Sequence, residues 1–163
     1  MKKSFSFLLI FLLTLPLLGY SQTATQYLDR GIAKAELNDY KGAIGEFTKA
    51  IEINPKDAEA YAYRGNAKTQ IQDYIGSIPD FTKAIEIDPK NMGASYCNRG
   101  LVKDKLKDYD GAYDDYSKAI ELYPRIEVVE IAYIGRGLIN FNRDNYIESV
   151  SYTHLTLPTI YSV

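Results

Sequence analysis

A chain of 163 residues, 46% hydrophobic and 25% charged, has room for one packed domain and is neither disordered nor fibrous in composition. Lys2 and Lys3 are the only charges outside Gln22 to Ser149, so that stretch carries 17 basic and 21 acidic side chains, a net charge of −4. Such a surface has no basic field to neutralise phosphates, which argues against a nucleic-acid partner, and a single cysteine, Cys97, excludes an internal disulfide.

The chain opens with Met1-Lys2-Lys3 and an apolar run from Phe5 to Leu18, then small residues at Gly19 and Ser21. This is the charged start, apolar middle and small-residue end of a secretory signal, and it predicts cleavage after residue 21 with Gln22 as the new N-terminus. The apolar run, about 14 residues interrupted by Pro16, is short for a membrane helix, which needs about 20. The expectation is a secreted or periplasmic protein with no membrane span after cleavage. No cysteine stands near the cleavage point to carry a lipid.

From Ala24 onward the chain repeats itself. The string Tyr-x-x-Arg-Gly begins at Tyr27, Tyr61, Tyr96 and Tyr133, and its glycines Gly31, Gly65, Gly100 and Gly137 lie 34, 35 and 37 residues apart. A period of that length signals a solenoid of repeated helical units. In the second copy Tyr61, Gly65, Ala67 and Ile71, then Tyr74, Ile78, Phe81, Ala84 and Ile85, recur at three- and four-residue steps, which predicts two helices each with one apolar face. The break falls near Gln72-Asp73, where Asp73 can cap the second helix. Asp39, Asp108 and Asp144 or Asn145 stand at the matching places. Pro55, Pro89 and Pro124 end the second helices, because proline disfavours helix in the residue before it. Small residues such as Gly65 and Ala84 let paired helices approach closely. Pro79 lies inside a predicted helix, where it costs about 3 kcal/mol and predicts a kink.

These residues resemble the tetratricopeptide repeat, a helix–turn–helix unit. Tyr61, Gly65, Ser77, Phe81, Ala84 and Pro89 fall at its consensus positions. So do Tyr27, Gly31, Ala43, Phe47, Ala50 and Pro55, and again Tyr96, Gly100, Ala112, Tyr116, Ala119 and Pro124. The resemblance implies an all-α fold, a right-handed α-solenoid over residues 22–149, with complete repeats at about 24–57, 58–91 and 93–126 and a truncated one at 130–149. It also implies that the first helices line a concave groove that binds a protein or peptide, through Leu28, Ile32 and Ala35; Ala62, Tyr63, Asn66 and Thr69; and Cys97, Asn98, Leu101 and Asp104. That face is mixed apolar and amide. It lacks the lysine and arginine set with which some relatives clamp the C-terminal carboxylates of heat-shock chaperones.

The copies share departures from the consensus. Arg30, Arg64, Arg99 and Arg136 replace a usual leucine, and Lys34, Lys68 and Lys103 follow one turn later. Two cations at that spacing repel unless an anion faces them. Glu46, Asp80 and Asp115 on the second helices are the partners expected for a structural charge ladder, and a ligand-anion site is the alternative.

Reaction chemistry finds no support. The one histidine, His154, lies in an aberrant tail, and the paired acids Asp114 and Asp115 sit at ladder and solvated helix positions. The glycines occur singly, not in a phosphate loop, and the 15 tyrosines fall mostly at repeat core positions. No base accompanies Cys97 to make a thiolate, so it reads as packed or groove-lining. The expectation is no enzyme, no metal and no cofactor.

After Ser149 the periodicity stops abruptly. Residues 150–159, Val-Ser-Tyr-Thr-His-Leu-Thr-Leu-Pro-Thr, resemble the in-frame translation of a transposase-type sequencing adapter, which implies that residues 150–163 are not native. The function expected is therefore a secreted or periplasmic interaction scaffold. The alternative is the N-terminal accessory region of a larger envelope enzyme or assembly machine.

Overall fold

The computed structural model describes residues 23–123 and 130–142. Six helices alternate with short turns: α1 (Ala24–Glu36), α2 (Tyr40–Ile53), α3 (Ala58–Gln70), α4 (Tyr74–Ile87), α5 (Gly93–Lys105) and α6 (Tyr109–Leu122). A further helix, α7, covers residues 130–142. Among the described residues every element is a helix, and none is long and apolar enough to cross a membrane. Residues 1–22, Pro124, Asp144, Asn145 and the 150–163 tail lie outside the described residues, so the signal, the fourth cap and the adapter-like segment are left as sequence readings.

Each helix packs first on the one that follows it and then on the next pair, which gives an all-α helical-repeat solenoid. Helices of 13 or 14 residues are marginal alone, so stability is collective, each pair covering its neighbour's apolar face. Phe47, Phe81 and Tyr116 are the large buried side chains of successive second helices. Each lies over a glycine of its own first helix. A Cβ built on Gly65 would meet the Phe81 ring at 2.9 Å, and one on Gly31 would meet the Phe47 ring closer still. A larger residue there would force the paired helices apart.

The turns inside the three complete repeats share one geometry. Asp39, Asp73 and Asp108 cap α2, α4 and α6 by accepting the backbone N–H of Gly42, Gly76 and Gly111 at 2.9, 3.0 and 3.0 Å. Just before each cap, Asn38, Gln72 and Lys107 adopt φ of 62°, 63° and 66°. Their N–H groups reach back to Ala35, Thr69 and Asp104, while the aspartate N–H groups reach Lys34, Lys68 and Lys103, all at 2.9 Å. This paired closure satisfies the last carbonyls of each first helix.

Helix α4 runs through Pro79 without a break. The proline is on the exposed side, where the carbonyl it fails to satisfy can be hydrated. Pro79→Ala should restore one helical hydrogen bond and raise stability by about 2 kcal/mol, measurable as a higher urea midpoint at unchanged slope.

Candidate functional site

The repeated cations and acids close on one another. Asp80 accepts from Arg64 Nε and Nη2 at 3.0 and 2.6 Å and lies 2.8 Å from Lys68 Nζ. Asp115 is held the same way by Arg99 at 2.9 and 2.7 Å and by Lys103 at 2.8 Å. Glu46 takes Arg30 at 3.1 and 2.8 Å and Lys34 at 3.1 Å. Each guanidinium also lies over the tyrosine three residues before it, at 4.5 Å for Tyr27 and 5.5 Å for Tyr61 and Tyr96. In these three copies the cations are satisfied from within, so the structural ladder replaces the ligand-anion alternative there. Arg64 and Arg99 donate their remaining Nη1 across the repeat boundary to Thr48 and Thr82 at 3.2 and 2.9 Å. The ladder therefore joins repeats as well as helices.

Partial burial alone would raise the Glu46 carboxyl, but hydrogen bonds from Lys34 and Arg30 outweigh it and hold it below the ordinary carboxylate value. A lowered folded pKa means stability that is present above the unfolded value and lost as pH falls through the folded one. The melting temperature should therefore hold down to pH of about 4.3 and fall below it, with Glu46→Gln flattening part of that fall. Thermal melts across pH 2–7 would check this.

On the face shared by the first helices the predicted groove residues divide. Tyr63 is 39% exposed and stacks on buried Phe47, with ring centroids 5.7 Å apart and planes at 19°. Asn98 Nδ2 donates to Asn66 Oδ1 at 2.8 Å, so two amides predicted to face a partner also hold each other across the α3–α5 boundary. Among the described residues, this leaves the N–H groups of Asn66 and Oδ1 of Asn98 for a ligand. Two cavities flank the pair. One is about 360 Å³, lined by Ala35, Tyr40, Tyr63, Asn66 and Gln70 among others, and one is about 210 Å³ between Ala62, Tyr63, Met92, Ala94 and Asn98. Ile32 and Leu101 are half-buried, and the Thr69 hydroxyl is turned back onto the Gly65 carbonyl at 3.0 Å.

Leu28 and Cys97 do not line the groove, contrary to the sequence expectation. Leu28 is 9% exposed in the first apolar cluster, with Phe47 and Ala43, and Cys97 is 6% exposed in the last, with Tyr116 and Ala132. At their shared repeat position the following repeat supplies the cover: Leu28 shares its cluster with Ala60 and Ala67 of α3, and Cys97 shares its cluster with Ala132 of α7. Ala62, at the same position, is half-buried, and Ile134 there in α7 is 56% exposed. Burial pushes the Cys97 thiol up, against a backbone hydrogen bond from Ala132, which argues against a reactive thiolate.

Sequence reading missed the continuation of this face on α7. Ile131, Ile134, Leu138 and Phe141 are 51%, 56%, 58% and 63% exposed. They stand at the repeat positions of Glu59, Ala62, Asn66 and Thr69 and form one apolar stripe. The same register, carried into the fourth copy, would have found them.

A solenoid of paired helices whose first helices share a mixed apolar and amide face defines a helical-repeat interaction scaffold. Family models described as tetratricopeptide repeat or TPR repeat match residues 31–72, 58–91 and 93–126, together more than half of the chain, and the chain belongs to that family. Among solved structures it is similar to the Arabidopsis OM64 TPR domain, at 25% identity and a TM-score of 0.69 over 74% of this chain and 96% of that one. MamA matches at 26% identity and a TM-score of 0.71, over 83% of this chain and 77% of that one. The second TPR domain of human RPAP3, in complex with the HSP70 peptide SGPTIEEVD, matches at 26% and 0.66, over 72% of this chain and 94% of that one. No curated protein matches the chain.

Proposed function

We propose that this protein is an exported, non-catalytic scaffold that holds an extended peptide or a partner helix along the concave face of its first helices. The observation that carries the reading is the Tyr63, Asn66 and Asn98 constellation, an aromatic platform beside an amide pair that still offers donors and an acceptor, with a cavity on either side. Apolar side chains of the partner lie on Tyr63, Leu101 and the α7 stripe, while the two amides pair its backbone. The peptide bound by the RPAP3 domain supports a peptide occupant in this fold. An acidic tail fits poorly here. Ile32, Ala62, Tyr63, Asn66, Thr69, Asn98 and Leu101 carry no charge, and the charged residues beside them, Asp104 and the Glu59 that lines the smaller cavity, are acidic, so the partner segment is apolar, carries no acidic side chains and binds with weak salt dependence.

The signal-like composition of residues 1–21 supports export, and the adapter resemblance of residues 150–159 supports reading the 150–163 tail as foreign to the gene. Amplifying the locus from source DNA tests the latter, and codons for residues 150–159 continuous with the upstream gene would refute it.

Replacing both Asn66 and Asn98 by alanine should weaken partner capture by about 1 kcal/mol per lost hydrogen bond without unfolding the solenoid. Because each amide holds the other, either single substitution should already give most of the double variant's effect. The test is a pull-down from envelope extract followed by titration of the captured partner against all three variants. Unchanged affinity with intact helical circular dichroism would move the binding surface elsewhere.

A further inference from the structure

Four repeat positions meet in the larger groove cavity. Ala35 of α1, Phe47 of α2, and Tyr63 and Asn66 of α3 all line it. Carried into the third copy and α7, the same register gives Asp104, Tyr116, Gly135 and Leu138. These positions converge there too. A Cβ built on Gly135 would come within 3.0 Å of the Tyr116 hydroxyl, and closer still to its ring. Burial first, and then the Asp104 charge, push the Tyr116 phenol well above its ordinary value, so the carboxylate stands beside the hydroxyl.

Three exchanges alter the chemistry of this corner. A carboxylate replaces the methyl of Ala35, a hydroxyl is added to the ring that is Phe47 in the first copy, and glycine replaces Tyr63, so no side chain covers the hydroxyl from that position. Both polar groups are left unsatisfied. Tyr116 is 1% exposed, yet among the described residues its hydroxyl donates to nothing, whereas those of Tyr40 and Tyr123 bond to Asn38 and to the Asn91 carbonyl. It is not sealed from solvent as the Ser117 hydroxyl is. Asp104 is half-buried and, among the described residues, pairs with no cation, because Lys103 beside it is committed to Asp115. A buried hydroxyl without a partner, next to a carboxylate without a counter-charge, is a place where a ligand group is missing.

We propose that Asp104 and Tyr116 form a subsite at the α7 end of the groove that takes one basic side chain, lysine or arginine, from the bound segment. The inference rests on the groove reading and deepens it, since it gives an otherwise apolar partner one charged anchor. The cationic head donates to the Asp104 carboxylate and to the Tyr116 hydroxyl oxygen, while its aliphatic stem lies along half-buried Leu101 and exposed Leu138. A pair held in a partly buried corner is screened little by salt, in keeping with the weak salt dependence expected of the groove.

The test uses the full chain and a neutral, apolar peptide of 12 residues selected for binding to it, together with a set of peptides that carry a single lysine at each position in turn. One lysine position should bind about tenfold tighter than the neutral parent. That ratio should fall to about one in Asp104→Asn and to about three in Tyr116→Phe, which removes the hydroxyl and keeps the buried ring. A set in which no lysine improves binding, or a gain that survives Asp104→Asn, would overturn the subsite. A gain untouched by Tyr116→Phe would remove the hydroxyl from it. The groove reading is checked separately by the neutral parent, which should bind the Asn66→Ala, Asn98→Ala double variant more weakly. If it does and lysine still gives nothing, the subsite alone is wrong; if it does not, the groove reading fails and the subsite with it.

Discussion

Asp80→Ala should cost about 3–5 kcal/mol, because it leaves two largely buried cations without a counter-charge. The Asp80 side chain is 4% exposed, and those of Arg64 and Lys68 are only 18% and 21% exposed, so water cannot replace the lost carboxylate. Arg64 would also lose the geometry with which it reaches Thr48 in the preceding repeat. Glu46→Ala is the control. Its partners Arg30 and Lys34 are 42% and 40% exposed and can rehydrate, so the loss there should be about 1 kcal/mol. Urea unfolding of both variants decides it. Equal losses would mean that burial does not set the strength of the rungs.

Phe47→Ala should be as damaging, about 3–5 kcal/mol, for a different reason. The ring is fully buried and fills the space left by Gly31, so its removal opens a cavity between α1 and α2. It is also the base on which Tyr63 stacks. The variant should therefore lose partner affinity even at temperatures where it is folded. Tyr63→Ala, which removes an exposed ring, should lose affinity with little change in unfolding free energy. Comparable stability losses in the two variants, or full binding by folded Phe47→Ala, would contradict this arrangement.

The caps at Asp39, Asp73 and Asp108 were legible because an aspartate before an apolar run has one local use. The left-handed residues before them were not. Asn38, Gln72 and Lys107 adopt positive φ although glutamine and lysine carry no such preference; closure of one helix onto the next imposes it. The acids facing Arg64 and Arg99 could be named from charge alone. The threonines completing each rung could not, since a hydroxyl at a helix surface has many uses. In the groove, Tyr63, Asn66 and Asn98 were legible as one face, but their mutual hydrogen bond depends on spacing between repeats. The burial of Leu28 and Cys97 depends on the first helix of the following repeat, which packs against them. Periodicity specifies which residues share a helix face, and packing decides which of them reach water.

The central claim is that the concave face holds the partner, and a chemical-shift map measures it most directly. The isotopically labelled protein would be titrated with a neutral, apolar peptide of 12 residues selected for binding to it. The largest changes should fall on the side-chain amides of Asn66 and Asn98, on the Tyr63 ring and on Leu138 of α7. Changes confined to the outer surface of the second helices, at Lys83, Glu86, Lys118 and Glu121, with the groove amides unmoved, would contradict it.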